Sequence, residues 1–194
     1  MAKKVVQVIE DPKTINLLAD PLRREIIREI TNQPQTQSQL ARKLELSPSS
    51  TMHHLKKIRE AGLIKIGRSE VGAYGIVEKY YEPTANLFIE DFDKTPPHLQ
   101  KYFLQFHIER LRGMLSVFRL IGKKRGEPIK VTSDELKELA QEIARQMAKV
   151  GKRYEKTRPT MNRETLLITI YSEALKEVMT QSKWKDFFDS DCSD

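Results

Sequence analysis

Ser49, Ser50, His53, His54 and Lys57 put two hydroxyls, two imidazoles and an ammonium into nine consecutive residues. On a helix, Ser49, Ser50, His53 and Lys57 project roughly to one side, because residues three and four apart recur on one face. Such a face can exchange hydrogen bonds with base edges and pair with phosphates, the chemistry of reading a duplex. It is poorly arranged for catalysis. His53 and His54 diverge by about 100° on a helix, and no nucleophile paired with a base, zinc-binding quartet or nucleotide loop stands elsewhere in the sequence. His54 is expected to be half-buried, touching the preceding turn or a phosphate. Arg68 and Lys79 flank a glycine-containing segment that can approach a phosphate backbone. These seven residues are the candidate DNA contacts; no catalytic residue, metal ligand or cofactor is expected.

Charge concentrates in the same place. Residues 42–68 hold seven Lys and Arg against two Glu, a net +5 in a chain whose total is +7. Polyanion binding draws free energy from counterion release, so the local density of cations matters more than the total. A solvated basic helix face is the bland reading of the same residues.

The elements that must position these side chains are legible from their boundaries. Thr36 and Gln39 have the spacing of a capping box, so a helix starts near Gln37, with Leu40, Ala41 and Leu44 on one side. Ser47 as N-cap and Pro48 at the first helical position open a second helix, ending near Ala61 before Gly62. Its inward face is expected to be Thr51, Met52, Leu55 and Ile58. Leu63 to Ile66 and Ile76 to Tyr81 then switch towards period two and form a hairpin, with residues 67–75 as its flexible tip. Upstream, Asp20 and Pro21 open a helix with Leu22, Ile26, Ile27 and Ile30 on one face. A short helix, Thr14 to Ala19, precedes it. Helix, turn, helix and hairpin in that order make a winged helix-turn-helix over residues 1–83.

After Pro83 the pattern changes. Asp91 to Pro97 is a break between helices, since its two prolines remove donors and disfavour αR before them. From His98 to about Ile121 two apolar stripes run along one helix: Leu99, Phe103 and Phe106, then Leu104, Ile108, Leu111, Leu115 and Phe118. Two apolar sides need partners on two sides. A second subunit supplies one of them, or later helices of the same chain enclose both. Residues 122–128 form a basic connector, and not a phosphate loop, because Val117 stands where its first glycine is required. Thr132 with Glu135 caps one further helix and Asn162 another, and Trp184 to Asp189 is either a docked aromatic anchor, the favoured reading since exposed Trp and Phe are costly, or a frayed end. Residues 84–194 are thus a helical dimerisation or effector region, and the fold class is mainly α with a small antiparallel β-hairpin.

The runs Ala19 to Ile27, Leu40 to Ser47 and His54 to Ile64 resemble the core of the ArsR-type winged helix-turn-helix regulators, and Glu78 to Tyr81 resembles their second wing strand. The resemblance covers about the first 85 residues. It implies a homodimeric regulator of double-stranded DNA, a repressor released by an effector, whose short first helix contributes to the dimer interface; as a sequence that helix reads equally as a cap over its own core. The metal-sensing members carry paired cysteines where this chain has Thr36 and Ser38, and hydroxyls do not replace thiolates for soft metals. Cys192 is the single cysteine. His98 and His107 lie nine residues apart, half a turn out of phase, so they cannot share a metal on one helix.

The sequence therefore carries two readings: a homodimeric, sequence-specific DNA-binding transcription regulator with room for an unidentified small-molecule effector, and a winged-helix protein-interaction or RNA-associated module without an operator. No apolar run suggests a membrane partner or a secretion signal, and the expected location is cytoplasmic.

Overall fold

The computed structural model describes residues 3–72, 75–122, 132–157 and 161–189, with side chains of 117–122 and 186–189 outside that description. The expected basic connector from Lys123, the Phe118 side chain and Cys192 lie outside the described residues. The elements run β1 (Lys4–Ile9), α1 (Pro12–Leu18), α2 (Pro21–Asn32), β2 (Gln35–Thr36), α3 (Gln37–Lys43), α4 (Pro48–Glu60), β3 (Ile64–Val71), β4 (Val77–Pro83), β5 (Ala85–Glu90), a 3-10 turn (Phe92–Lys94), α5 (Pro97–Gly122), α6 (Ser133–Tyr154), α7 (Arg163–Met179) and α8 (Ser182–Asp189). The fold is mainly helical with a small antiparallel sheet, β2-β4-β3, and a separate parallel pair, β1-β5.

Capping chemistry sets most boundaries. The side chain of Asp20 accepts from the amides of Leu22 and Arg23, Thr36 and Gln39 form the reciprocal capping box, and Ser47 accepts from the Ser50 amide. Thr132 and Glu135 form a second capping box and Asn162 caps α7. The first helix starts two residues earlier than expected, because Asp11 accepts from the Thr14 amide and Pro12 occupies the first turn. The hairpin is longer than expected: β3 runs on through Gly67 to Val71, a register shift between Ile66 and Arg68 absorbing the irregularity, so most of the segment expected as a tip is paired strand.

The parallel pair has no counterpart in the sequence reading. Between β1 and β5 lies the whole segment from α1 to β4, so these two strands form a neck at the base of that segment. Thr84 ties it: its carbonyl accepts from the Lys4 amide, its own amide donates to Leu63 O, and its hydroxyl donates to Gly62 O at 2.8 Å. Val6 is fully buried and Val5 nearly so, within the core built by α5, α6 and α7, whereas Ile9 joins the core under α2, α3 and α4. The neck thus straddles the expected boundary at residue 83. Against it α6 approaches closely at Gly151, where a Cβ would stand 2.9 Å from Cδ1 of Ile89 and 3.2 Å from Cγ2 of Val8.

Helix α5 connects the two cores. Phe103 is buried in the core under α2, α3 and α4, with Leu99 and Tyr102 packed beside it, and Leu104 and Leu111 are buried in the core with α6 and α7, with Ile108 and Leu115 against it. Among the described residues Leu99 and Phe103 of one stripe, and Leu104, Ile108, Leu111 and Leu115 of the other, find partners within the chain. Phe106 departs from its stripe and is 43% exposed. Trp184 is buried against the α6–α7 core, whereas the side chains of Phe187 and Phe188 lie outside the described residues.

Candidate nucleic-acid interface

Helices α3 and α4 end in matching turns, the first of which joins them. The amide of Leu46 donates to Ala41 O at 2.8 Å and that of Glu45 to Arg42 O, a Schellman arrangement that puts Glu45 at φ 54°. Helix α4 ends the same way, Leu63 donating to Ile58 O and Gly62 to Arg59 O, with Gly62 at φ 71°. Glycine adopts that conformation without a Cβ penalty; Glu45 does not. Across the turn Gln37 Nε2 donates to Pro48 O at 2.7 Å. Beneath it Glu29, buried on α2, pairs with Lys43 of α3, and Gln35 Nε2 donates to Glu29 O at 3.1 Å. The Lys43 ammonium, followed by the Gln35 amide, holds the Glu29 carboxyl below its ordinary range despite burial.

Thr51, Leu55 and Ile58 form the buried line of α4, with the Thr51 hydroxyl donating to Ser47 O. Met52 does not join them. It lies about 100° around the helix from Thr51 and is 43% exposed. The outermost line is Ser49, His53 and Lys56, all exposed, with Glu60 at its end. Ser50 and Lys57 share a flank of the helix, and Lys57 lines a shallow cleft with Asn16 and Arg23. His54 turns further inward: its Nδ1 lies 3.9 Å from Oδ2 of Asp20, the cap of α2, and burial pushes its imidazole below the ordinary histidine value, so at neutral pH it packs as a neutral ring. His53 meets His54 edge-on at 5.7 Å between centroids.

The structure therefore brings Ser49, Ser50, His53 and Lys57 onto one surface and sets His54 behind it. Two further members of that surface, Met52 and Lys56, are missing from the candidates read from the sequence. The signal was available: with Thr51, Leu55 and Ile58 centred inward, Lys56 falls opposite them.

The hairpin separates its two candidate cations. Arg68 stands opposite Tyr80 and Lys79 opposite Ser69, and since cross-strand partners share a face, Arg68 and Lys79 project from opposite faces. The Arg68 guanidinium stacks 4.2 Å over the Tyr80 ring and pairs with Glu70 at 3.0 Å. Lys79 is exposed and has no ion pair among the described residues. The hairpin end is apolar, with Val71 75%, Ile76 64% and Val77 56% exposed. Ile76, where the return strand was expected to begin, is thus no part of the core.

Ion pairs also thin the positive charge. Lys43 pairs with Glu29, Lys56 with Glu60, Lys65 with Glu82 and Arg68 with Glu70, while Arg42, Lys57 and Arg59 make none among the described residues. Among the described residues no group of three or more His, Cys, Asp or Glu is placed to hold a metal ion.

Two helices joined by a tight turn, the second presenting its outer face, define a helix-turn-helix protein. Residues 20–65, from the cap of α2 into β3, match the model of the family described as "Bacterial regulatory protein, arsR family". The chain carries an ArsR-family helix-turn-helix, a domain type that supports DNA binding and transcription regulation. No curated protein matches the chain. Among the described residues no helix is long and apolar enough to cross a membrane.

Proposed function

We propose that the protein is a sequence-specific DNA-binding transcription regulator, a cytoplasmic repressor acting as a homodimer. Helix α4 enters the major groove; Ser49, Met52 and His53 meet base edges, and Lys56, Lys57 and Ser50 hold the flanking phosphates. His54 backs this surface through Asp20. The β3–β4 hairpin acts as the wing, with Lys79 as its phosphate contact and Arg68 stiffening it by stacking on Tyr80. The observation that carries this reading is the exposed outer line of α4 within the segment that matches the arsR family.

Dimerisation is assigned to α7. Ile168 and Met179 lie along one line of the helix, with Leu175 between them packed partly against the chain's own core. Ile168 is 68% exposed and Met179 39%. Two readers joined there would occupy two half-sites of a symmetric operator.

Selection of duplexes from a random pool, followed by titration of the selected site against scrambled DNA, tests the reading. A specific site bound at least about a thousandfold tighter than scrambled duplex is expected. His53→Ala with Met52→Ala should lower that preference by about 1–3 kcal/mol for each base edge no longer recognised. The exposed valines and isoleucine at the hairpin end favour a protein contact there, and absence of any duplex preference would leave protein interaction as the function.

A further inference from the structure

Between α2, β5, α5, α6 and α7 lies a cavity of about 590 Å³, within the range that encloses small organic ligands. It sits at the junction of the two cores, no residue of α3 or α4 lines it, and its walls combine aromatic rings with polar groups that have not found partners. The Arg24 guanidinium lies 4.7–5.0 Å from the ring centres of Tyr102, Phe103 and Phe106, and its Nε donates to Leu18 O. Its Nη2 is buried without a hydrogen-bond partner among the described residues, as is Nδ1 of His107. Glu90 and Arg110 line the same space. Arg24 and Arg110 each act electrostatically on the Glu90 carboxyl, yet none of these three groups is ion-paired among the described residues. Burial raises the Glu90 carboxyl above its ordinary range and pushes the His107 imidazole down to about 4.

Unpaired polar groups in an interior are costly and ordinarily satisfied. Here the buried groups left without a partner are Arg24 Nη2 and His107 Nδ1; Glu90, half-buried, and Arg110, exposed, line the same space beside apolar walls. The charges not already neutralised favour a single added negative charge: Glu25 is taken by Arg28 and Glu164 by Arg163, leaving Arg24 and Arg110 against Glu90.

We propose that this cavity binds a small organic monoanion, a carboxylate on an apolar body, whose carboxylate pairs with Arg24 and Arg110, whose body lies against Phe103 and Phe106, and which acts as the effector of the protein. Guanidinium groups match carboxylate geometry, and His107, neutral and protonated on Nδ1, supplies one further hydrogen bond. The same first turn of α2 that carries Arg24 is capped by Asp20, which faces His54 of α4. A ligand drawing on Arg24 therefore acts on the reading helix through Asp20 and His54. The effector role rests on the DNA-reading proposal; binding in the cavity does not.

Calorimetric titration of the full-length protein, without DNA, with 4-phenylbutyrate and its uncharged amide tests the site. The carboxylate is expected to bind about tenfold or more tighter than the amide. Arg24→Met should abolish that preference, and Glu90→Gln, which removes the competing negative charge, should strengthen carboxylate binding. The second variant keeps the test decisive if the first does not fold. Equal binding of acid and amide, no binding of either, or weaker carboxylate binding in Glu90→Gln would overturn the site. Saturating carboxylate should then change duplex affinity of the wild type by about fivefold or more; unchanged affinity despite measured binding would overturn the effector role alone.

Discussion

Replacing Lys43 and Lys56 separately by Met distinguishes a cation that builds the reader from one that meets the polyanion, although both lie in the same basic stretch. Lys43 compensates Glu29, a carboxylate only 7% exposed. Without it, Glu29 keeps only the Gln35 amide, at 3.4 Å from Oε2. Leaving a buried acceptor so poorly satisfied costs about 1–3 kcal/mol, and because the Lys43 side chain is itself half exposed the lower half of that range is expected. Lys56 instead pairs with Glu60 at 3.9 Å, both more than half exposed, a pairing worth at most about 0.5 kcal/mol. If Lys56 meets a phosphate, its removal should reduce the slope of log K against log salt by about 0.9, so that the wild type loses about threefold more affinity than the variant between roughly 50 and 200 mM salt. Fluorescence anisotropy with a labelled duplex across that salt range, beside urea unfolding of both variants, measures the two quantities. Lys43→Met should lose stability with its salt slope unchanged, and Lys56→Met the reverse. A Lys56→Met protein with an unaltered slope would remove that residue from the interface, and an undiminished stability in Lys43→Met would show that the Glu29 pair does not hold α2 to α3.

Three further outcomes follow from the geometry. Glu29 has a folded-state pKa below its unfolded value, so its contribution is fully present above the ordinary value of 4.5 and is lost as pH falls below it; wild type should lose more stability than Lys43→Met over that acid range in parallel urea titrations. At the neck, Val6→Ala removes buried methyls and should destabilise the whole chain by about 1.5–3 kcal/mol, against a change within about 0.5 kcal/mol for a surface residue such as Lys4→Ala; equal effects would mean that β1 is not part of the core. Glu45→Gly relieves a left-handed residue, a gain of about 1–2 kcal/mol offset by about 0.5–1 kcal/mol of added chain entropy, so thermal unfolding should shift slightly upward, and a clear fall would contradict the turn geometry.

The reader was legible because its boundaries are local chemistry. Asp20, Thr36, Ser47 and Gly62 each satisfy or redirect backbone groups within a few residues of themselves, and those interactions need no distant partner. The same holds for the capping box at Thr132 and the cap at Asn162. Face assignments were less secure. Met52 is apolar and reads as inward from its type, but the buried line of α4 runs through Thr51, Leu55 and Ile58, and that rotation of the helix turns Met52 to solvent.

Other features depended on residues far apart in sequence. β1 and β5 are each short, and Val5, Val6, Leu87 and Ile89 become strand only because the two segments lie side by side and α6 covers them at Gly151. Arg68 and Lys79 look equivalent as flanking cations until the strand register puts them on opposite faces. Likewise Arg24, Glu90, His107 and Arg110 carry no common motif; they meet because α5 packs against both cores and leaves a space between them. Composition and capping determined which segments would be helix and where the helix-turn-helix would lie, since those depend on neighbours along the chain. Which charges would be neutralised, which apolar stripe would be covered and where a cavity would open depended on contacts across the chain, and only the tertiary structure decided them.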